Sequence, residues 1–181
     1  MALSRWVLDP DQSQAQFTVR HLMFSQVKGT FRVTEGPLLL DRDHPESCQV
    51  DATLEVASVD TRDTKRDEHL RSDLFFHVAQ FPVMKFNSNR FSKKSNRLNQ
   101  FTGNLTLHGV TRELTLEVKG LDAEKTDASG IRFLNTSATT RLKRKEFGLE
   151  WNAAIEAGGV LVGDEIEIQI QARWVLISPA S

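Results

Sequence analysis

One stretch near the C-terminus decides the fold most clearly, because residues 165–174 read EIEIQIQARW. Every even position in this stretch is apolar and every odd position is polar. A β-strand places alternate side chains on opposite faces, so this segment has one dry face and one wet face. One-sided strands of this kind are typical of an antiparallel sheet with one buried side.

The same alternation recurs along most of the chain. Turn signals rich in Gly, Pro, Asp, Asn and Ser separate the runs, so we count about eight strands. The apolar positions are Ala15, Phe17 and Val19; Val27, Phe31 and Val33; Leu38 and Leu40; Val50, Ala52, Leu54 and Val56; Met84 and Phe86; Phe101, Leu105 and Leu107; Leu114, Leu116 and Val118; and Ile131 and Phe133. Eight strands joined by short turns can close into an antiparallel barrel without exposed edges. A chain of 181 residues fits one domain, residues 1–181.

Two segments depart from the alternation. Thr64 and Asp67 fit a capping box at a helix start, and Leu70 and Leu74 follow at a helical spacing. We therefore predict a helix over residues 65–74 with a narrow apolar stripe. A second short helical turn is predicted over residues 143–147.

Composition excludes several classes of protein. The formal net charge is −1, which argues against general nucleic-acid binding, since that affinity comes from neutralised phosphates. No apolar run reaches the length of a membrane-spanning helix. Cys48 is the single cysteine, so no internal disulfide forms, and its alternating surroundings predict a small half-buried residue. The N-terminus lacks the apolar stretch of a signal peptide, which predicts a cytoplasmic protein, or a periplasmic one if a leader was trimmed.

The aromatic residues indicate an apolar interior. The chain has eleven Phe, three Trp and no Tyr. Five of the Phe fall on predicted inward faces: Phe17, Phe31, Phe86, Phe101 and Phe133. A Phe ring brings large apolar surface and no hydroxyl that needs a partner. Such an interior suits either a dry core or a tunnel for a hydrocarbon chain.

Several motifs together resemble the YceI-like family. They run in one order over about residues 6–176, which is nearly the whole chain. They are WVLD at 6–9 with Ser13, Phe17 and residues 19–22; VKGTF at 27–31; SVDT at 58–61; RDEHLRS at 66–72; Phe75, Phe76, Phe81 and Pro82; GNLTLHGVT at 103–111; and FGL at 147–149.

The resemblance implies an extended, lipocalin-like, eight-stranded antiparallel barrel with one short helix. It also implies non-catalytic binding of a polyisoprenoid lipid, of the isoprenoid quinone or prenyl phosphate type, for transport, storage or sensing. No cofactor is expected beyond that lipid. Many members of the family carry a periplasmic signal, which this sequence does not show.

The predicted inward faces and the polar cluster of the helix supply candidate site residues. The cavity lining is predicted at Phe17, Val19, His21, Met23, Phe24, Phe31, Leu54, Phe75, Phe86, Leu105, Leu116, Ile168 and Ile170. Arg66, Asp67 and His69 are predicted at the mouth. Arg66 and His69 lie three positions apart on one helix face, where they could meet a phosphate or quinone oxygen. The other interpretation of this cluster is structural, with the helix pinned across a barrel end.

Alternative functions remain open at this point. His21, Asp67 and His69 could form an acid–base site on a small hydrophobic substrate, and a filled barrel could instead serve as a protein-interaction module. The five histidines lack metal-binding spacing, so no metal is expected. Arg141, Lys143, Arg144 and Lys145 are interpreted as a solvated face, with peripheral contact to anionic lipid as the alternative. Outward apolar residues such as Val7 and Val175 are compatible with a homodimer.

Overall fold

The computed structural model describes residues 3–21, 25–150 and 162–178. These ranges hold ten strands, and the helix α1 (Thr64–Arg71) lies between β4 and β5. The strands are β1 (Leu3–His21), β2 (Ser25–Glu35), β3 (Pro37–Asp41), β4 (Gln49–Asp60), β5 (Val83–Lys93), β6 (Asn99–Leu107), β7 (Val110–Lys119), β8 (Lys125–Thr126), β9 (Arg132–Lys143) and β10 (Val162–Ser178). Short 3₁₀ helices span Pro45–Ser47 and Arg144–Phe147. The second of these confirms the predicted turn near residue 145.

Eight of the strands form a closed antiparallel ring. They pair in the order β10-β1-β2-β4-β5-β6-β7-β9, and pairing of β9 with β10 completes the circuit. The short β3 and β8 lie outside this ring, where β3 pairs with β1 and β4, and β8 pairs with β9. The predicted all-β, eight-stranded antiparallel barrel with one helix is therefore confirmed. No helix in the described part of the chain is long and apolar enough to cross a membrane.

An irregularity in β1 changes which of its side chains face inward. Asp9 is opposite Arg173 on β10, but the next pair is Gln14 with Gln171, so β1 holds extra residues between them. The Ser13 hydroxyl donates to the Asp9 carbonyl at 2.7 Å and accepts from the Arg173 amide at 3.0 Å. Such a bulge reverses the parity of the strand. Trp6 and Leu8 are buried before it, and Ala15 is buried after it.

The end of the barrel away from α1 is formed by deeply buried side chains, some of which also border the interior cavity. Its core side chains include Trp6, Leu38, Phe101, Leu134 and Trp174, all at most 5% exposed. Both indoles are satisfied, because Trp6 Nε1 donates to Ser4 Oγ and Trp174 Nε1 donates to Thr136 Oγ1. Buried Trp normally requires such a partner. We call this region the packed end.

The helix differs from its prediction at both termini. Asp63, not Thr64, caps the N-terminus, because its carboxylate accepts from the Arg66 amide at 3.1 Å while Thr64 is already helical. At the C-terminus, the Ser72 hydroxyl and amide both donate to the His69 carbonyl, at 2.6 and 3.1 Å. The helix therefore ends at Arg71, and Leu74 lies beyond it, 59% exposed. The predicted capping box and the predicted end at residue 74 are wrong.

Phe133 was predicted to face inward, and that prediction is wrong. It pairs with Val175 in β10, while the neighbouring Leu134 is fully buried inside the barrel. Phe133 is buried instead beneath the guanidinium of Arg173, whose Cζ lies 3.9 Å from the ring centroid. The cation covers the outward ring and stabilises it through its π face.

Cys48 is buried beside the turn that follows β3, deeper than the half-buried position predicted. Burial raises the pKa of its thiol, although the Asp41 amide donates a hydrogen bond to the sulfur and opposes that shift. A raised pKa disfavours the reactive thiolate. The expectation of a structural rather than reactive cysteine fits this position.

Candidate functional site

A cavity of about 510 Å³ occupies the interior of the barrel. That volume lies within the range of ligand-binding pockets, about 300–1,000 Å³. Its wall is formed mainly by apolar side chains from β1, β2, β4, β5, β6, β7, β9 and β10. The barrel is therefore not filled by its own side chains.

The cavity is elongated along the strands. Ile166, Ile168, Ile170, Ala172 and Trp174 of β10 all belong to its wall. Eight residue steps correspond to about 26 Å along a strand. With the usual barrel tilt, the wall extends about 20 Å along the barrel axis. Its long apolar shape suits a hydrocarbon chain better than a compact polar molecule.

Most of the side chains predicted to line the cavity lie on this wall. They are Phe17, Val19, Phe31, Leu54, Phe75, Phe86, Leu105, Leu116, Ile168 and Ile170. Met23 and Phe24 lie outside the described residues. His21 ends β1, but its side chain is likewise outside the description. Whether the wall residues bind a ligand stays a prediction.

Aromatic rings group on one side of the wall near α1. The Phe17 and Phe31 centroids are 5.3 Å apart, and those of Phe31 and Phe76 are 5.7 Å apart. Phe75 meets Phe76 edge to face at 4.8 Å. These tilted and edge-to-face geometries are the favourable ones for aromatic pairs. The segment after α1 therefore packs onto Phe31 of β2, and the Phe31 ring in turn contacts Phe17 of β1.

Polar side chains line the cavity only in part, and most of them lie at the α1 end. There the wall includes Thr61, Asp63, Lys65, Arg66 and His69. Asp63 and Lys65 are exposed, so the cavity reaches the surface beside the helix. We call this region the mouth.

A network of hydrogen bonds attaches α1 to the end of β4. The buried Asp67 carboxylate accepts from the amide of Thr61 at 3.0 Å and from its hydroxyl at 2.5 Å. Arg66 Nε donates to the Thr61 hydroxyl oxygen, and its Nη2 donates to the Thr61 carbonyl, both at 2.8 Å. Arg71 donates to the Ala57 and Val59 carbonyls at 2.8 and 2.9 Å. We call Thr61, Arg66, Asp67 and Arg71 the helix clamp.

The three residues predicted at the mouth differ in whether they belong to the cavity wall or to the helix clamp. Arg66 and His69 lie on the cavity wall, whereas Asp67 is not among the wall residues and its carboxylate is used by Thr61. Arg66 serves both the wall and the clamp. The structural interpretation of this cluster therefore describes Asp67 fully and Arg66 in part.

The basic cluster near residue 144 is only partly solvated. Arg144 is 1% exposed, and it donates to the Leu149 and Gly163 carbonyls at 2.5 and 3.0 Å. Burial lowers the pKa of its guanidinium from the ordinary value, opposed by the nearby charges of Asp164 and Glu150. Arg141 lies 3.4 Å from Glu165 and 3.0 Å from Glu167, and it forms exposed ion pairs with both residues of β10. The interpretation of all four residues as a solvated face is wrong for Arg144.

Sequence reasoning missed Thr61, Arg71 and Arg144 as site residues. Arg144 shares the parity of Ala138, Thr140 and Leu142 on β9, and that alternation could have placed it on the inner wall. Arg71 carried no comparable signal, because its partners are backbone carbonyls in a different element. Such long-range contacts depend on the tertiary arrangement rather than on local pattern.

Within the described ranges, no three His, Cys, Asp or Glu side chains come together as a metal site. The acid–base alternative needed His21, Asp67 and His69. Of these, the Asp67 carboxylate accepts hydrogen bonds from both the amide and the hydroxyl of Thr61. The geometry brings together apolar surface, a polar mouth and an anchored helix.

Comparison with known proteins gives a consistent relationship. A family model described as the YceI-like domain matches residues 6–174. A UPF0312 protein of Staphylococcus epidermidis is 33% identical over 172 residues, which cover 95% of this chain and 98% of that protein. Protein YceI of Salmonella newport is 38% identical over 133 residues, 74% of this chain and 69% of that protein.

Among solved structures, similarity extends over the whole barrel. A polyisoprenoid binding domain from Saccharophagus degradans, implicated in plant cell wall breakdown, superposes with a TM-score of 0.67. The alignment covers 97% of this chain and 99% of that one, at 16% sequence identity. At this identity the match shows a shared fold.

Proposed function

This chain belongs to the YceI-like domain family, and from that premise we propose that it binds one polyisoprenoid lipid in its barrel without catalysis. The observation that most directly supports this proposal is the elongated cavity of about 510 Å³, which has apolar walls and a polar mouth. The structural neighbour from Saccharophagus degradans, named as a polyisoprenoid binding domain, supports the same ligand class. Transport, storage and sensing are all compatible with such binding.

Apolar burial is the main source of affinity in this proposal. Each CH₂ removed from water contributes about 0.8 kcal/mol before ordering costs are subtracted. A chain along the wall from Ile166 to Trp174 needs no polar contact over most of its length. The shape of the wall then selects among chains.

The charges of the wall favour an anionic head group. Among the described wall residues, Lys65, Arg66 and Arg144 are cationic and Asp63 is the single carboxylate. Lys65 and Arg66 lie at the mouth, where a phosphate keeps part of its hydration. A prenyl phosphate is therefore our first candidate ligand, and an isoprenoid quinone is the neutral alternative.

Blocking the cavity tests lipid binding directly. Ala138 and Thr139 are neighbours on β9 that face opposite sides, since Ala138 is on the cavity wall and Thr139 is exposed. We expect Ala138→Phe to abolish binding of farnesyl phosphate, because the ring occupies the lumen. The matched variant Thr139→Phe should bind as the unchanged protein does. Native mass spectrometry and lipid extraction measure the occupancy, and equal binding by both variants contradicts the proposal.

The head-group contact needs a separate control, because Arg66 also belongs to the helix clamp. Arg71 anchors the same helix from outside the cavity wall. We expect Arg66→Ala and His69→Ala to weaken farnesyl phosphate binding, and Arg71→Ala to have a smaller effect. Unchanged affinity in both wall variants contradicts the contact, and a larger loss for Arg71→Ala assigns the effect to helix anchoring.

The remaining partners and the location stay predictions. Lys143 and Lys145 are the exposed cations of the basic cluster, so a peripheral contact with anionic lipid rests on them. Val7 is 41% exposed and pairs with the half-buried Val175 on the outer face, which is the basis for the homodimer. Light scattering of the unchanged protein and of Val7→Asp checks the dimer. A cytoplasmic location is likewise a prediction.

A further inference from the structure

Gly29 leaves a gap in the inner wall, and the ring of Phe17 lies in that gap. The two residues are direct partners in the pairing of β1 with β2. A Cβ atom on Gly29 would lie 2.3 Å from Cζ and 2.5 Å from Cε1 of Phe17. It would also lie 2.9 Å from Cγ2 of Thr61. The Phe17 ring therefore leans from β1 across the backbone of β2 and rests against the wall.

The contacts of this ring connect it to both the aromatic group and the helix clamp. On one side Phe31 packs against it with an interplanar angle of 36°. On the other side is Thr61, whose hydroxyl and amide are held by Asp67. Across β1, the partner of Phe17 is Ile168 of β10. The gap at Gly29 thus lies at the level of the cavity just inside the mouth.

The direction of the Phe17 ring controls the width of the lumen at this level. An eight-stranded barrel is just wide enough for side chains or for one small ligand. A phenyl ring that projected across the lumen would therefore obstruct it. Side chains occupy staggered wells, so a ring displaced from the gap must adopt another discrete orientation. The atoms that a new Cβ would meet on Phe17 are the far end of the side chain, so the ring moves more easily than the strands.

We propose that Gly29 and Phe17 set the bore of the cavity and so select methyl-branched chains over straight ones. This inference rests on the proposed lipid-binding function and names the residues that determine its specificity. A straight chain leaves unfilled space in a wide bore and loses dispersion contacts there. A branched chain fills that space with its methyl groups. The missing side chain at position 29 provides the additional width.

A pair of carboxylic acids with the same head group tests the selection. Hexadecanoic acid is straight, and phytanic acid has the same main chain with methyl branches. The unchanged protein should bind phytanic acid more tightly. Gly29→Ala should weaken phytanic acid binding by about tenfold or more, the usual effect of methylene-sized changes in a pocket, and hexadecanoic acid binding much less. Adding Phe17→Leu to Gly29→Ala should restore the affinity for phytanic acid.

Gly163→Ala is the matched control, because its Cβ would meet Arg20 at an ordinary distance of 3.4 Å. This variant should bind both acids as the unchanged protein does. Equal losses for the two acids in a folded Gly29→Ala protein, or no loss for either, overturn the selection. A failure of the proposed function looks different, because the unchanged protein then binds neither acid.

A crystal structure of Gly29→Ala without ligand decides the bore independently of binding. We expect the Phe17 ring to turn into the lumen while β2 keeps its position. A ring that stays in place with a displaced β2 backbone overturns the inference. This structure tests the inference even when no lipid binds, and also when the substitution lowers the stability of the protein.

Discussion

The two ends of the barrel hold different kinds of side chain. At the packed end, Trp6, Leu134 and Trp174 are at most 5% exposed, and each indole N–H has a partner, while Trp174 also borders the cavity. At the mouth, the corresponding space is open, and the helix is attached through the clamp of hydrogen bonds rather than through a broad apolar face. Along the barrel axis, the packed end therefore contributes most to stability, and the region near the mouth provides the space for a ligand.

This separation follows from the physical role of each end. Close packing gains the most from apolar burial, and it leaves no volume for a guest. The side chains around an empty apolar cavity lack those contacts, so a protein with an open cavity must be stabilised by other regions. Here the packed end provides it, and the mouth can then be polar and hydrated.

A matched pair of truncations on β9 should show the largest difference. Leu134 is fully buried and is not among the wall residues, whereas Leu142 faces the cavity. We expect Leu134→Ala to lower the free energy of unfolding by about 3–5 kcal/mol, because a new void forms in a packed region. Leu142→Ala should cost about 2 kcal/mol, since part of its surface already meets empty space.

Urea denaturation of the two variants measures this difference. Equal losses would mean that the cavity wall is as tightly packed as the closed end. Addition of farnesyl phosphate sharpens the test, because bound ligand stabilises the folded state. It should raise the stability of the Leu134→Ala protein more than that of the Leu142→Ala protein, whose wall is damaged.

The helix clamp should show a smaller and more local effect. Asp67→Asn replaces a charged acceptor that receives both the amide and the hydroxyl of Thr61. Loss of such buried hydrogen bonds costs about 1–3 kcal/mol. We expect amide exchange of Thr61 and of α1 to accelerate, while the amides of β9 and β10 remain protected. Uniform acceleration across the barrel would contradict the separation of the two ends.

The sequence predicted the barrel better than the site, and the reasons are physical. The alternation in residues 165–174 predicts a strand with one buried face. These residues form part of β10, which is a strand of the closed ring. The β1 bulge at Asp9 and the outward direction of Phe133 depend on pairing between distant strands. Alternation alone could not fix them. Apolar wall residues were therefore found in large part, whereas the clamp was not.

The cavity itself was beyond a pattern argument. An inward Leu has the same sequence signal whether it meets another side chain or an empty lumen. The distinction arises from volumes summed over all eight strands of the ring. Gly29 illustrates this limit, because its significance appears only when the Phe17 ring is seen above it.

The turn after β3 at the packed end offers the smallest effect, and one that depends on pH. Burial alone would raise the pKa of the Asp41 carboxyl, but hydrogen bonds from the His44 and Asp43 amides and the charge of His44 together hold it below its ordinary value. The two amides lie 2.9 and 3.0 Å from Oδ1. A carboxyl with a depressed folded-state pKa stabilises the protein above its unfolded pKa, near 4, and that contribution is lost as the pH falls through the folded value.

Asp41→Asn should therefore lower stability slightly at neutral pH, and the stability of the variant should converge with that of the unchanged protein at strongly acidic pH. Urea midpoints measured across this range check it, and a difference that grows on acidification would contradict the role of the ionised carboxylate.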